Sequence, residues 1–241
     1  MARYTGPRDK ISRRFGVPLF GPSKALERRA YAPGMHGGKR GGRRSKGSDY
    51  SVALAEKQKL RFQYGVLEKQ FRRYFAQAQR RRGVTGVLLI QLLEMRLDNI
   101  VYRMGFSNTR AGARQFVNHG HVQVNGQRVD IASYNTKPGD KIAVRDNPRS
   151  KQLALRGLDL TQAISQAEWL VVDRDNLEGT ISRVPERDEV DPMVNEQLVV
   201  ELYSRLLNLI PNRRRCFLFL RAPPSLFSGS GFFATINLQN E

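Results

Sequence analysis

Between Arg96 and Val144 the chain spells out an order of elements that few topologies can satisfy. In RLDNIVYRMG, Leu97, Ile100, Val101 and Met104 fall at i, i+3, i+4 and i+7, the stripe of an amphipathic helix, and Gly105 is placed to end it. Thr109 is placed to cap a second helix, RAGARQFVNHG, which closes at Gly120. Directly behind it, Val122 and Val124 alternate with polar residues up to Asn125-Gly126, and Val129 and Ile131 follow. Asn-Gly is the dipeptide that a two-residue type I′ turn favours, because both central residues take φ > 0. The spacing predicts a hairpin. Lys137-Pro138-Gly139-Asp140 puts Pro and Gly in type II positions, and a strand runs on from Asp140 to Val144.

The flanking sequence is mainly helical. Ser48 is a candidate N-cap with Asp49 in the first turn of a helix reaching toward Gly65. From Leu67 to Arg81, the residues Leu67, Phe71, Tyr74, Phe75 and Ala78 make one apolar face. A helix from Thr85 carries Leu88, Leu89, Leu92 and Leu93, a face broad enough to be largely buried. A short helical stretch follows at 151–166. WLVVD (169–173) and TISRV (180–184) predict a second hairpin, and VNEQLVVELYSR (194–205) an amphipathic helix. Residues 1–47, rich in Arg, Lys, Gly and Pro, show little periodicity and cannot fold alone. They read as an arm that orders on RNA rather than a disordered, solvated one, with Phe15, Phe20 and Tyr31 anchoring it to the core in preference to stacking on bases. The expected class is α+β: a mainly helical lobe, a small helix–hairpin module and a basic N-terminal arm.

Charge narrows the partner. Residues 1–156 carry 33 Lys/Arg against 10 Asp/Glu, a net +23, whereas residues 157–205 carry 4 against 11, a net −7. A surface charged only for solubility would not be segregated in this way. The first two-thirds is suited to a nucleic acid or an anionic membrane, and the acidic stretch should face away from phosphate or toward a basic protein. Nothing approaches the length of a transmembrane helix, and the basic N-terminus lacks the apolar core of a secretory signal. A single cysteine, Cys216, gives neither an internal disulfide nor a cysteine-based zinc site.

Catalytic constellations do not assemble. His119-x-His121 would need further ligands, and His36 is the only other histidine, so phosphate contact or packing at the hairpin start is the better use. Arg96-Leu97-Asp98 resembles the core of pseudouridine synthases. However, Asn99-Ile100-Val101 follows inside an amphipathic helix and no catalytic domain accompanies it, so a structural or RNA-positioning Asp is preferred. The Gly-rich run 37–47 lacks the preceding strand of a phosphate-binding loop. No enzyme and no cofactor are expected.

RLDNIVYRMGFSNTRAGARQFVNHGHVQVNGQRVDIASY resembles the RNA-binding domain of the S-four family of small-subunit ribosomal proteins. The likeness extends to MARYTGPRDKISRRFG, YAPGMHG, SDY, EKQKLRFQYGVLEKQF, EGTISRVPERDEVD and NEQLVVELYSR, so it covers about residues 1–205 in order and is of bacterial type. It implies an arm at 1–47, a helical lobe at 48–92 completed by helix 194–205, an RNA-binding module at 93–156, and an acidic connecting segment with a hairpin at 157–193. It also implies a structural role in the cytoplasmic small ribosomal subunit. That role is primary binding of 16S rRNA at a 5′-domain junction, nucleation of assembly, a place near the mRNA entry site, and contact with ribosomal protein S-five linked to decoding accuracy.

By the same resemblance, Arg96, Arg103, Thr109, Arg110, Arg114, Gln115, Asn118, His119 and Asn125 line the module's RNA face. Arg3, Lys10, Arg13, Arg14, Arg28, Arg29, His36, Arg72 and Arg73 extend that face over the arm and helical lobe. Arg110 and Arg114 should lie off the Phe116/Val117 core face and be removable without unfolding the module. Glu186, Asp188 and Glu189 are the expected protein interface. Some family members hold zinc through four cysteines near the N-terminus; this chain has none there. Residues 206–241 extend past the usual family end, and their apolar, Pro-interrupted sequence is expected to be poorly ordered and inessential to RNA binding.

Overall fold

Short polar caps and apolar stripes set most element boundaries. The Ser48 side chain accepts from Ser51 N and opens α3 (Asp49–Gln63). The Thr109 hydroxyl accepts from Gly112 N and opens α7 (Arg110–Asn118). Asn147 caps α8 (Pro148–Thr161), with proline at its first position, where a missing N–H costs nothing. The remaining helices are α1 (Arg8–Phe15), α2 (Lys24–Arg28), α4 (Glu68–Arg80), α5 (Thr85–Glu94), α6 (Leu97–Arg103) and α9 (Glu196–Asn208). A computed structural model describes residues 3–34, 37, 47–162, 167–190 and 194–208, with backbone alone for 206–208. His36 and the tail beyond 208 lie outside the described residues. Residues 1–202 form one compact unit; of the second, 203–241, only the last turns of α9 are described.

The two expected hairpins belong to one five-stranded sheet. β1 (Val122–Val124) pairs with β2 (Gln127–Arg128) across the Asn125-Gly126 turn, whose φ values are 50° and 82°. β3 (Lys141–Val144) pairs with β1 on one side and with β5 (Glu178–Ile181) on the other. β4 (Leu170–Asp173) closes the far edge, giving the antiparallel order β2-β1-β3-β5-β4. Local sequence predicts each hairpin, but the pairing of Ile142 with Gly179 brings together segments with no shared turn to announce it. Alternation puts Val122, Val124, Ile142, Val144, Leu170 and Ile181 on the buried face. They pack with Leu97, Ile100, Val101 and Met104 of α6, Ala113, Phe116 and Val117 of α7, and Trp169.

The arm departs from expectation. It contains α1 and α2, and it is anchored through buried Ile11 and Leu19. Tyr4, Phe15 and Phe20 gather around Phe62 of α3, with ring centroids 5.3–6.5 Å from it. The anchors are too widely spaced to form a periodic pattern, and the surface they need is supplied by a helix more than thirty residues away. Helix α8 begins at Pro148, earlier than the expected 151, because the Asn147-Pro148 cap outweighs the weak apolar pattern; residues 163–166 of the expected stretch lie outside the described residues.

α8 approaches the turn after α6 so closely that a Cβ on Gly157 would stand 2.3 Å from the Phe106 carbonyl oxygen, a backbone atom that cannot swing aside. Gly157→Ala should therefore destabilise the chain by about 1–3 kcal/mol, the usual cost of overpacking, as measured by urea unfolding. An unchanged midpoint would mean that α8 does not sit against Phe106.

Candidate nucleic-acid interface

The arginines that decorate the module divide into two groups, and a carboxylate decides which is which. Glu94, the last residue of α5, is completely buried. Its Oε1 accepts from the Tyr64 hydroxyl at 2.5 Å and from Arg103 Nη2 at 2.9 Å. Its Oε2 accepts from Asn99 Nδ2 at 2.6 Å and Arg103 Nε at 3.1 Å. Arg110 Nη2 lies 4.0 Å from Oε1, and Arg110 Nε donates to Asn99 Oδ1 at 2.9 Å. The Arg110 guanidinium also sits over the Tyr64 and Tyr102 rings at 5.0 and 4.7 Å. Burial on its own would raise the Glu94 carboxyl; the Arg103 charge and hydrogen bonds, Arg110 and the Tyr64 hydroxyl outweigh it and hold the group below its ordinary value. The Tyr64 hydroxyl is pushed well up, first by burial and then by Glu94.

A second buried pair ties α4 to α6. Arg96 donates from Nε and Nη2 to the two Asp98 oxygens at 3.0 and 2.6 Å, and from Nη1 to the Tyr74 hydroxyl at 2.7 Å. The expectation that Arg96 lines a binding face is therefore corrected: only 1% of it is exposed, and it organises the fold. Asp98 serves the same structural pair. Arg114 is corrected likewise. It is 7% exposed and donates to the Gly65 carbonyl at 2.7 Å, so it clamps the α3–α4 turn rather than standing off the core. Arg110 and Arg114 are thus not removable without cost to the fold. Helical spacing placed them off the α7 stripe, but other elements pack against that side too.

The outward set is different. Arg3, Lys10, Arg14, Arg28, Arg29, Arg72, Arg73, Gln115, Asn118 and His119 are exposed, and Arg103 and Thr109 are half-buried. Arg13 is half-buried and folds back on the arm, donating to the Arg29 and Tyr31 carbonyls at 3.1 and 3.2 Å over the exposed Tyr31 ring. Exposed Asn125 holds the hairpin to the 137–140 turn, donating to Asp140 Oδ1 and accepting from Lys141 N, each at 2.9 Å. His121 packs on Phe116 and meets Ser150 Oγ through Nδ1 at 2.9 Å. Two cations that the sequence reading did not single out, Arg8 and Arg61, join Arg3, Arg110 and Arg114 around a groove of about 200 Å³. The general basic composition signalled them; their convergence depends on how the arm docks.

In the acidic segment, Arg183 pairs with Glu189 and lies 3.6 Å from Glu186, and Glu189 also accepts from Glu186 N at 2.9 Å. Arg187 holds Glu196 through two bonds of 2.6 and 2.9 Å. Glu189 is therefore largely a loop-closing group, and of the three residues expected at the interface Glu186 and Asp188 are exposed.

A helical lobe with a docked arm, followed by a helix–helix–hairpin module with a cationic exterior, is matched by two known families. Residues 3–94 match the ribosomal protein S4/S9 N-terminal domain, and residues 95–142 match the S4 domain. In that order the two define a structural, non-enzymatic ribosomal protein with an RNA-binding module. Over 205 residues the chain is 66% identical to the small ribosomal subunit protein uS4 of Akkermansia muciniphila, covering 85% of this chain and all of that protein. It is 54% identical to the protein of the same name from Opitutus terrae and 51% to that from Natranaerobius thermophilus, with the same coverage. The chain belongs to the small ribosomal subunit protein uS4 family.

The Glu94 network makes a pH prediction. A carboxyl held low in the folded state stabilises the fold above its ordinary value near 4.5, and that stabilisation is lost as pH falls through the folded value. Glu94→Gln should cost about 3 kcal/mol at neutral pH, the scale of breaking a buried pair. It should also flatten the loss of stability below about pH 4.5. Equal acid slopes for the two proteins in denaturant titrations would assign the acid sensitivity elsewhere.

Proposed function

We propose that the chain is a structural constituent of the small ribosomal subunit that binds 16S rRNA directly, at a multi-helix junction of the 5′ domain, and by binding early nucleates subunit assembly. The observation that carries this is 66% identity across the whole of a protein named for that subunit. The exposed cations of the arm and α4, with the exposed polar groups of α7, give the physical means. The contacting set is Arg3, Lys10, Arg14, Arg28, Arg29, Arg72, Arg73, Gln115, Asn118 and His119, with Arg103 and Thr109 at its margin. Double-helical RNA is read by shape, through phosphates and 2′-hydroxyls, and a rigid surface carrying several guanidinium groups suits that better than a flexible one.

The division of labour follows the charge. The arm (1–47), the helical lobe (48–92 with 194–205) and the module (93–156) meet RNA. The acidic segment (157–193), whose hairpin completes the module's sheet, meets protein, with ribosomal protein S-five the nominated neighbour at Glu186 and Asp188. That contact, near the mRNA entry site, is the route by which the chain contributes to translational accuracy. Among the described residues no helix is long and apolar enough to cross a membrane.

Phosphate contacts release counterions, so affinity for a 5′-domain fragment should fall steeply with salt. With 6–10 phosphates engaged, the loss between roughly 50 and 200 mM is about 10³–10⁵-fold. A nearly flat plot of log affinity against log salt would contradict direct binding through this surface.

A further inference from the structure

The groove between the arm, the α3–α4 turn and the first turn of α7 has a composition that folding alone does not call for. Its wall is aromatic. Tyr4 and Phe62 meet edge to face, centroids 5.3 Å apart and planes at 74°; Phe20 meets Phe62 at 6.3 Å and 62°. The three rings brace one another without stacking flat, and each is only half-buried. Five arginines line the groove, two of them (Arg110 and Arg114) already engaged within the fold, and no carboxylate lines it among the described residues. Arg3 and Arg8 are exposed at the arm side, with Arg8 set over the Phe20 ring at 5.9 Å. Arg110 and Arg114 form the back, fixed by Asn99 and Gly65. At the wall, Arg61 Nε is buried without a hydrogen-bond partner among the described residues, a donor that the protein alone leaves open.

This combination selects a guest. An aliphatic ligand has no use for the arginines at the arm side, Arg3 and Arg8, and a basic side chain would be repelled. A bare phosphate has no use for three ring edges and faces. A nucleotide offers both a flat π surface and an anion, and bases stack on aromatic side chains whatever their identity. The size agrees. An apolar cavity of about 150 Å³ takes a benzene ring, so the 200 Å³ here has room for one base.

We infer that this groove is a subsite for one unpaired nucleotide of the bound RNA, with its base against the Tyr4–Phe20–Phe62 wall and its phosphate on Arg3 and Arg8. The inference rests on the RNA-binding function proposed above. It gives the arm a task beyond charge: α1 and the residues before it close one side of a pocket whose other sides belong to the helical lobe and the module.

The test uses the full chain and a 16S 5′-domain fragment. Ultraviolet cross-linking followed by mass spectrometry should attach a single unpaired nucleotide to Tyr4, Phe20 or Phe62. Filling the groove from opposite walls, by Ala111→Trp or Leu67→Trp, should weaken binding about tenfold or more. The melting temperature should not change, and the salt slope should alter by no more than about one phosphate. Cross-links confined to other residues overturn the subsite, as does wild-type affinity in both filled variants. Protein rather than nucleotide adducts on that wall in assembled subunits overturn it too. Failure of the wild-type chain to bind the fragment at all is a separate result: it brings down the proposed function and the subsite with it.

Discussion

One buried carboxylate holds the helical lobe and the helix–hairpin module together. Glu94 ends an apolar helix, lies wholly out of solvent, and has both oxygens occupied by groups from three different places in the chain: the turn after α3, and two positions on α6. A charge so placed is tolerated only because it is paired and fully hydrogen-bonded, and removing one partner would leave the others stranded. Geometric selection follows from that cost. Tyr64, Asn99, Arg103 and Arg110 must adopt one arrangement, and in doing so they fix α6 and α7 against the helical lobe. The Arg96–Asp98–Tyr74 contacts and the Arg114–Gly65 bond act in the same direction.

The same arrangement sorts the cations. A chain with net +23 over its first 156 residues repels itself, and at physiological salt the Debye length of about 8 Å screens only part of that repulsion. Turning Arg96 and Arg114 inward, where carboxylate and carbonyl oxygens receive them, removes two charges from the crowded face and converts them into fasteners. What remains outside is a set of exposed Arg and Lys on the arm and α4, with the neutral Gln115 and Asn118 exposed on α7. The aromatic cluster around Phe62 performs the corresponding service for the arm, which has little other apolar surface with which to dock.

Much of this was legible from residues alone, and the reason differs from element to element. The Asn125-Gly126 hairpin, the Thr109 and Ser48 caps and the α6 stripe are local: each needs only neighbours within a few positions, and each appears as read. The joining of two hairpins through β3 and β5 is non-local and has no sequence mark. The roles of Arg96, Arg110 and Arg114 were misjudged for a related reason. Helical periodicity separates one packed face from the rest, but it does not say whether a second element covers the remainder. A lone Glu closing the run TGVLLIQLLE is the one hint of the buried network, since an acid in so apolar a helix has to find partners. How Arg8 and Arg61 converge with Arg3 was not readable at all, because it depends on a docking mediated by four scattered aromatics.

Glu94 locks the helical lobe and the module so that the two open together. Native-state hydrogen exchange tests it most directly, since regions that unfold as one unit share one opening free energy. The amides of α4 and α5 and those of α6 and α7 should exchange with the same free energy and the same denaturant dependence. Protection of α6 and α7 that persists while α4 and α5 exchange through a separate, lower-energy opening would contradict the account.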